Sequence, residues 1–124
     1  MELNVYFNAI LENAERPLVL CDTDFRVIFL NRIASELYEK KHGKKLLGNS
    51  VRTLMSEDGL SRLDAAIEWF KESPDNQKVF VCHSESNNSD VYIKAVRDDN
   101  GKVIGFYNYL DYRNPETGKV YDLD

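Results

Sequence analysis

Few side chains in this 124-residue sequence could do bond chemistry: two cysteines, two histidines and 21 acidic residues. Cys21 and Cys82 lie far apart, inside segments rich in Val, Leu and Phe, with no Cys-x-x-Cys and no Cys/His pair at metal-ligand spacing. Both read as buried free thiols that behave as small hydrophobes. His42 falls in a lysine-rich stretch and His83 near the end of a strand-like run. No serine, cysteine and histidine arrangement can be assembled, and no glycine-rich phosphate loop precedes a helix. The paired acids Asp22/Asp24 and Asp98/Asp99 sit among turn-forming residues, where carboxylates cap backbone N–H groups in solvent. Tyr107 and Tyr109 stand out differently: a buried phenol needs a partner for its hydroxyl, and a ligand could be that partner. A filled core, with those rings packed on Leu63 and Phe70, accounts for them equally well.

The stretch that must position these groups runs from Asp90 to Arg113. Two segments rich in β-branched and aromatic residues flank Asn100-Gly101, the residue pair that favours a tight hairpin turn. Val91, Ile93 and Ala95 alternate with Tyr92 and Lys94, so one face of the first strand is apolar. The second strand is apolar on both sides, with Ile104, Phe106 and Leu110 on one face and Tyr107 and Tyr109 on the other. A strand without a polar face is central and covered on both sides.

The other elements follow in order. An amphipathic helix is expected over residues 3–14, with Asn4 as N-cap and Leu3, Phe7, Ile10 and Ala14 as its stripe. This stripe packs either on its own sheet or on the same helix of a second subunit. Short strands over 18–22 and 26–30 flank Asp22-Thr23-Asp24-Phe25. Asn31 then caps a helix running to about His42, which stops at Gly43. Lys40, Lys41, Lys44 and Lys45 surround that end, complementing the helix dipole. A helical turn over 51–55 precedes a helix over 60–72, capped by Ser56 or Asp58, and a third strand covers 77–84. Residues 1–16 thus form an N-terminal helical cap, 17–113 the domain, and 114–124, with Pro115 and Gly118, a flexible acidic tail.

Composition narrows the function classes. A 43% apolar and 30% charged chain is that of a globular domain. A net charge of −5 without a basic cluster argues against nucleic-acid binding. No apolar run approaches the ~18 residues of a membrane span, and the first residues lack a signal-peptide pattern. A cytoplasmic protein is expected.

In this order of elements, the chain resembles a PAS domain from about Ile10 to Arg113. Pro17-Leu-Val-Leu-Cys-Asp22 followed by Val27-Ile-Phe-Leu-Asn31 is similar to the opening hairpin of that family, with its Asp and its Asn. Leu47-Gly48-Asn49-Ser50 resembles its turn before the central helices. Val96 to Gly105 resembles its last hairpin, and Leu110-Asp111-Tyr112-Arg113 a divergent form of its Asp-Ile-Thr ending. The resemblance implies an α+β fold: a five-stranded antiparallel sheet in the order 2-1-5-4-3, helices on one face enclosing a pocket, and the N-terminal amphipathic helix in addition. Cys21 and Cys82 would then lie about 14 Å apart at ~4.8 Å per strand, beyond the ~7 Å a disulfide spans.

Relatives with haem carry an axial histidine on the long central helix, and residues 60–72 contain none, so haem is not expected. Photoactive flavin relatives carry Asn-Cys-Arg-Phe on a central helix, but residues 46–55 have no cysteine, which excludes covalent flavin photochemistry. Tyr109 stands where a flavin-binding strand has glutamine, so non-covalent flavin is disfavoured and another small ligand stays open.

The function implied is a non-catalytic sensory or regulatory module in signal transduction. Its pocket candidates are Leu20, Phe29, Tyr38, Ile67 and Phe70, with Val91, Ile93, Tyr107 and Tyr109 from the central hairpin. A homodimer is expected through Leu3, Phe7, Ile10 and Ala14, acting on a fused or separate effector protein. A ligand-free dimerisation or docking domain is the alternative. A small α+β enzyme of the isomerase type is a third reading, and it would need a buried carboxylate that the sequence does not reveal.

Overall fold

A computed structural model describes residues 2–43 and 45–121; Lys44 and the last three residues of the expected tail lie outside the described residues. Helix α1 (Leu3–Glu12) leads into strands β1 (Val19–Asp22) and β2 (Val27–Leu30). Then come α2 (Arg32–Ala34), a π-helical stretch (Ser35–Glu39) and α3 (Lys40–His42), which run on as one helical rod. A 3-10 turn (Val51–Leu54) precedes α4 (Glu57–Glu72), and strands β3 (Lys78–Ser84), β4 (Ser89–Arg97) and β5 (Val103–Tyr112) complete the chain. The sheet is antiparallel with the order β2-β1-β5-β4-β3, as the resemblance implied. Among the described residues, no helix is long and apolar enough to cross a membrane.

Local chemistry explains most boundaries. The Asp22 carboxylate accepts from the backbone N–H groups of Asp24 and Arg26, closing the first hairpin. Asn31 caps α2 by accepting from Ala34 N at 3.0 Å, and Gly43 ends α3 in the left-handed region at φ 66°. Ser56 rather than Asp58 caps α4, which starts earlier than expected, and Glu2 rather than Asn4 precedes α1, leaving Asn4 inside the helix. Gly105 is required by close approach: a Cβ there would sit 2.3 Å from the Cys21 carbonyl oxygen on β1. The outer edge of β2 is covered by the loop after α3, through Val27 N to Asn49 O and Gly48 N to Val27 O.

The core lies between the sheet and α4, built on Cys21, Phe25, Val27, Leu63, Ile67, Phe70 and Phe106. Its register decides which side chains point inward. Ala95 pairs with Phe106, so Lys94 and its partner Tyr107 occupy the opposite face, as does Leu20 opposite Tyr107 and Phe29 opposite Leu20. Tyr109 pairs with Tyr92 on that same outer face. The inward orientation expected for Leu20, Phe29, Tyr107 and Tyr109 is therefore corrected. A strand apolar on both sides does not reveal its inner face, and the pairing with Phe106 and Cys21 selects it. Ile104 also moves: a bulge pairs Val96 with Gly105 but Arg97 with Val103, so Val103 is buried and Ile104 is 45% exposed. Cys82, expected buried, is exposed beside a second bulge in β3, whereas Cys21 is buried.

Two polar side chains join the elements. Asn31 is fully buried, and all four of its amide's bonding directions are used. Its Oδ1 accepts from Leu18 N at 3.1 Å and from Ala34 N, while Nδ2 donates to Leu11 O at 3.1 Å and Arg16 O at 2.8 Å. Arg97 Nη2 lies within hydrogen-bond distance of the carbonyls of Phe70, Ser73 and Asn76, tying the end of α4 to the central hairpin. At the far end of the sheet, Arg113 grips Asp90 with Nη2 at 2.6 Å and Nε at 3.0 Å, and His83 Nδ1 lies 3.1 Å from the same carboxylate. The Arg113 guanidinium foremost, with a further contribution from His83, holds the Asp90 carboxyl below its ordinary range.

Asn31→Ala leaves two buried N–H groups and two carbonyls without their partner, and should cost about 3 kcal/mol, read as a lower urea midpoint with unchanged slope. Asp90, with its folded-state value depressed, contributes stability that is fully present above its unfolded value near ~3.9 and lost as pH falls through the folded value. Urea midpoints taken from pH 7 down to pH 3 should therefore fall less steeply in Asp90→Asn than in the native sequence.

Candidate functional site

The inner face of the sheet and the helices that cover it leave a cavity of about 280 Å³. Its floor is the sheet: Val19 and Cys21 of β1, Ile93 of β4, and Phe106 and Asn108 of β5. Tyr38, Leu46 and Leu63 close it from the helical side, and Val51, Leu54 and Met55 form its lip. The π-helical stretch positions Tyr38. One residue on, the Glu39 carboxylate accepts from the Ser35 hydroxyl and from Leu46 N at 2.7 Å, which pins this turn to the loop that supplies Leu46. Those two hydrogen bonds, then the Lys45 charge, hold the Glu39 carboxyl below its usual range.

The polar groups bordering this cavity are few and mostly engaged. Asn108 accepts from Val19 N at 2.7 Å and donates to Pro17 O at 3.1 Å, so its amide fixes the start of β1. Burial, followed by the Asp22 charge, pushes the Cys21 thiol up to about 12. Burial also raises the Tyr38 phenol, with Tyr112 adding to the effect, and no hydrogen bond from a described residue offsets it. Among the described residues, no group of three His, Cys, Asp or Glu side chains is placed to hold a metal ion.

Of the nine residues singled out from the sequence, Tyr38 and Ile93 line the cavity. Ile67 and Phe70 are packed into the core beside it, 4% and 0% exposed, and Val91 shares the inward face of β4 with Ile93. Leu20, Phe29, Tyr107 and Tyr109 are on the other side of the sheet. There Lys94 Nζ lies 3.9 Å above the Tyr109 ring and Lys78 Nζ 4.6 Å above Tyr92, so the aromatic strip is covered by its own cations. Sequence reasoning missed Cys21 and Asn108 as lining residues. The signal was the parity of β1 and β5, which places Cys21, Phe106 and Asn108 on one face once the strands are paired.

Two surfaces outside the cavity are apolar. A groove of about 670 Å³ runs between α4 and β3, with Trp69, Phe80 and Val81 exposed along it, and it shares Leu63 and Ile93 with the inner cavity. Helix α1 buries none of its residues: Leu3, Phe7 and Ile10 are 56%, 55% and 67% exposed, and Ala14, beyond its end, is partly covered. Of the two arrangements open for this stripe, packing on its own sheet is not the one observed.

Comparison with known proteins agrees with this geometry. A family model described as the PAS fold matches residues 11–111. The C-terminal domain of a Streptococcus mutans protein is similar at 20% identity and a TM-score of 0.63, over 86% of this chain and 81% of that one. The PAS domain of a Colwellia psychrerythraea protein aligns over 91% of this chain and 100% of its own at 12% identity, TM-score 0.61. A sensory box sensor histidine kinase from Vibrio cholerae aligns over 89% and 91% at 8% identity, TM-score 0.55. At these identities the likeness is one of fold. No curated protein sequence matches the chain significantly.

The two thiols offer a direct check on the cavity. At pH 8, iodoacetamide should label Cys82 and leave Cys21 unmodified until the protein is unfolded, as read by peptide masses. Labelling of both at one rate would mean that the inner cavity is freely open to reagent.

Proposed function

Since this chain belongs to the PAS-fold family, whose model matches residues 11–111, we propose that it is a non-catalytic sensory module of signal transduction. It binds a small molecule in the cavity between sheet and helices and works as a homodimer joined through α1, in the cytoplasm, on a fused or separate effector. The observation that carries the reading is the cavity itself. Between the sheet and the helices lies an apolar concavity of about 280 Å³, open to the surface and bordered by a tyrosine and an asparagine. The likeness to a Vibrio cholerae protein described as a sensor histidine kinase is in keeping with a regulatory role.

A second reading, a docking module that needs no ligand, is favoured by α1 alone. Its apolar residues stand exposed on a helix too short to persist by itself in water, and pairing with a second copy would both bury the stripe and stabilise the helix.

Native mass spectrometry of freshly purified protein, set against its denatured mass, tests both. Extra mass lost on denaturation, on a dimer, is the expected result; a ligand-free dimer would leave only the docking reading, and a ligand-free monomer would remove the support for each. Phe7→Glu should weaken the dimer by about 30-fold if α1 is its centre. An unweakened dimer would place the interface elsewhere.

A further inference from the structure

The cavity lining is specific enough to name the chemistry of its occupant, an inference that rests on the ligand-binding reading above. None of the eleven described lining residues carries a charge: the set is apolar apart from Cys21, Tyr38 and Asn108. A carboxylate or ammonium group would meet no counter-ion among the described lining residues. The described lining therefore favours a neutral occupant over an anion or a cation. Size sets the second limit. At about 280 Å³ the space exceeds the ~150 Å³ that accommodates benzene and falls below the ~300–1,000 Å³ of sites for drug-sized ligands. One substituted ring or two fused rings would fill it.

Hydrogen-bonding capacity sets the third. Asn108 spends one Nδ2 proton on Pro17 O and its Oδ1 on Val19 N, which leaves a second Nδ2 proton. The Tyr38 hydroxyl has no partner among the described residues, and as a phenol held in its neutral form it has a proton to give. The free capacity is thus weighted toward donors, which an acceptor oxygen on the ligand would satisfy. The Phe106 and Tyr38 rings, with the sulfurs of Cys21 and Met55, favour an aromatic body over an aliphatic one. We propose that the cavity binds a neutral aromatic molecule of one or two rings bearing a carbonyl, whose oxygen accepts from the Tyr38 hydroxyl.

Three probes of nearly equal size separate the requirements: acetophenone, ethylbenzene and benzoate, each titrated into ¹⁵N-labelled full chain while the amide resonances of Val19, Ile93 and Asn108 are followed. Acetophenone should shift these resonances and bind about fivefold tighter than ethylbenzene, the worth of one hydrogen bond. Benzoate should leave them unmoved. In Tyr38→Phe, which keeps the ring and its packing, acetophenone should fall to the level of ethylbenzene while ethylbenzene is unchanged. Ethylbenzene or benzoate binding as well as acetophenone would overturn the proposed class and leave the ligand-binding reading standing, as would an acetophenone preference that survives in Tyr38→Phe. Cavity resonances unmoved by all three up to their solubility would overturn the class and count against the ligand-binding reading itself.

Discussion

The arrangement rests on one buried amide. Between the end of α1 and the start of β1 the chain must enter the domain carrying backbone groups that no strand or helix satisfies, and leaving such groups buried and unpaired is costly. Asn31 meets two of these demands at once, holding Arg16 O with its nitrogen and Leu18 N with its oxygen, and adds Leu11 O in the last turn of α1 and Ala34 N in α2. An aspartate of the same shape would present an oxygen to two carbonyls, so the position calls for both a donor and an acceptor. Through this side chain the exit of α1, the first residue pair of the opening hairpin and the start of α2 become one rigid corner. Asn108 clamps the same linker from the other side, through Pro17 O and Val19 N. The amide that borders the cavity is therefore also a fixed point of the segment leading to α1.

Opposite faces of the sheet are finished by different physics. On the inner face burial dominates: Phe25 adopts a left-handed φ of 65°, unfavourable for a bulky residue, and is held there by packing edge-on against Phe106 at 5.4 Å. Outside, Tyr92, Tyr107 and Tyr109 are only half-buried, and Lys78, Lys94 and Arg16 lie across Tyr92 and Tyr109. Long cationic side chains cover apolar rings with their stems while their charges stay in water. A face can thus be aromatic in sequence and still be the solvent side.

Departures from regular geometry decide which side chains face the core, the cavity and the groove. The π-helical stretch aims Tyr38 at the cavity, one bulge buries Val103 in place of Ile104, and another brings Val79, Phe80 and Val81 together along the groove beside α4. Each adds or removes a residue's worth of rotation, and so re-aims a side chain that a regular element would direct elsewhere. Against these, Arg97 and the Asp90–Arg113 pair fix both ends of the central strands, so the irregularities are held in a stiff frame.

Much of the architecture was legible in the sequence because local rules write it. The Asn100-Gly101 turn, the Asn31 cap, the choice of Ser56 or Asp58 as the next, the Gly43 stop and the alternation of Val91, Ile93 and Ala95 follow from dihedral preference and hydrogen-bond need within a few residues. Together they place five strands and their helices in order. Which face of β5 turns inward was not written there, since Tyr107 and Tyr109 are aromatic residues that fill a core as Phe106 and Leu110 do once their hydroxyls find a partner. Only pairing with Cys21 on β1 and Ala95 on β4 breaks that tie. The same holds for Asn31, whose capping role is local but whose bonds to Leu11 and Arg16 exist only once the linker folds back over β2. The cavity is likewise a tertiary product: it is the space left between residues from seven separate segments, and no one segment carries its outline.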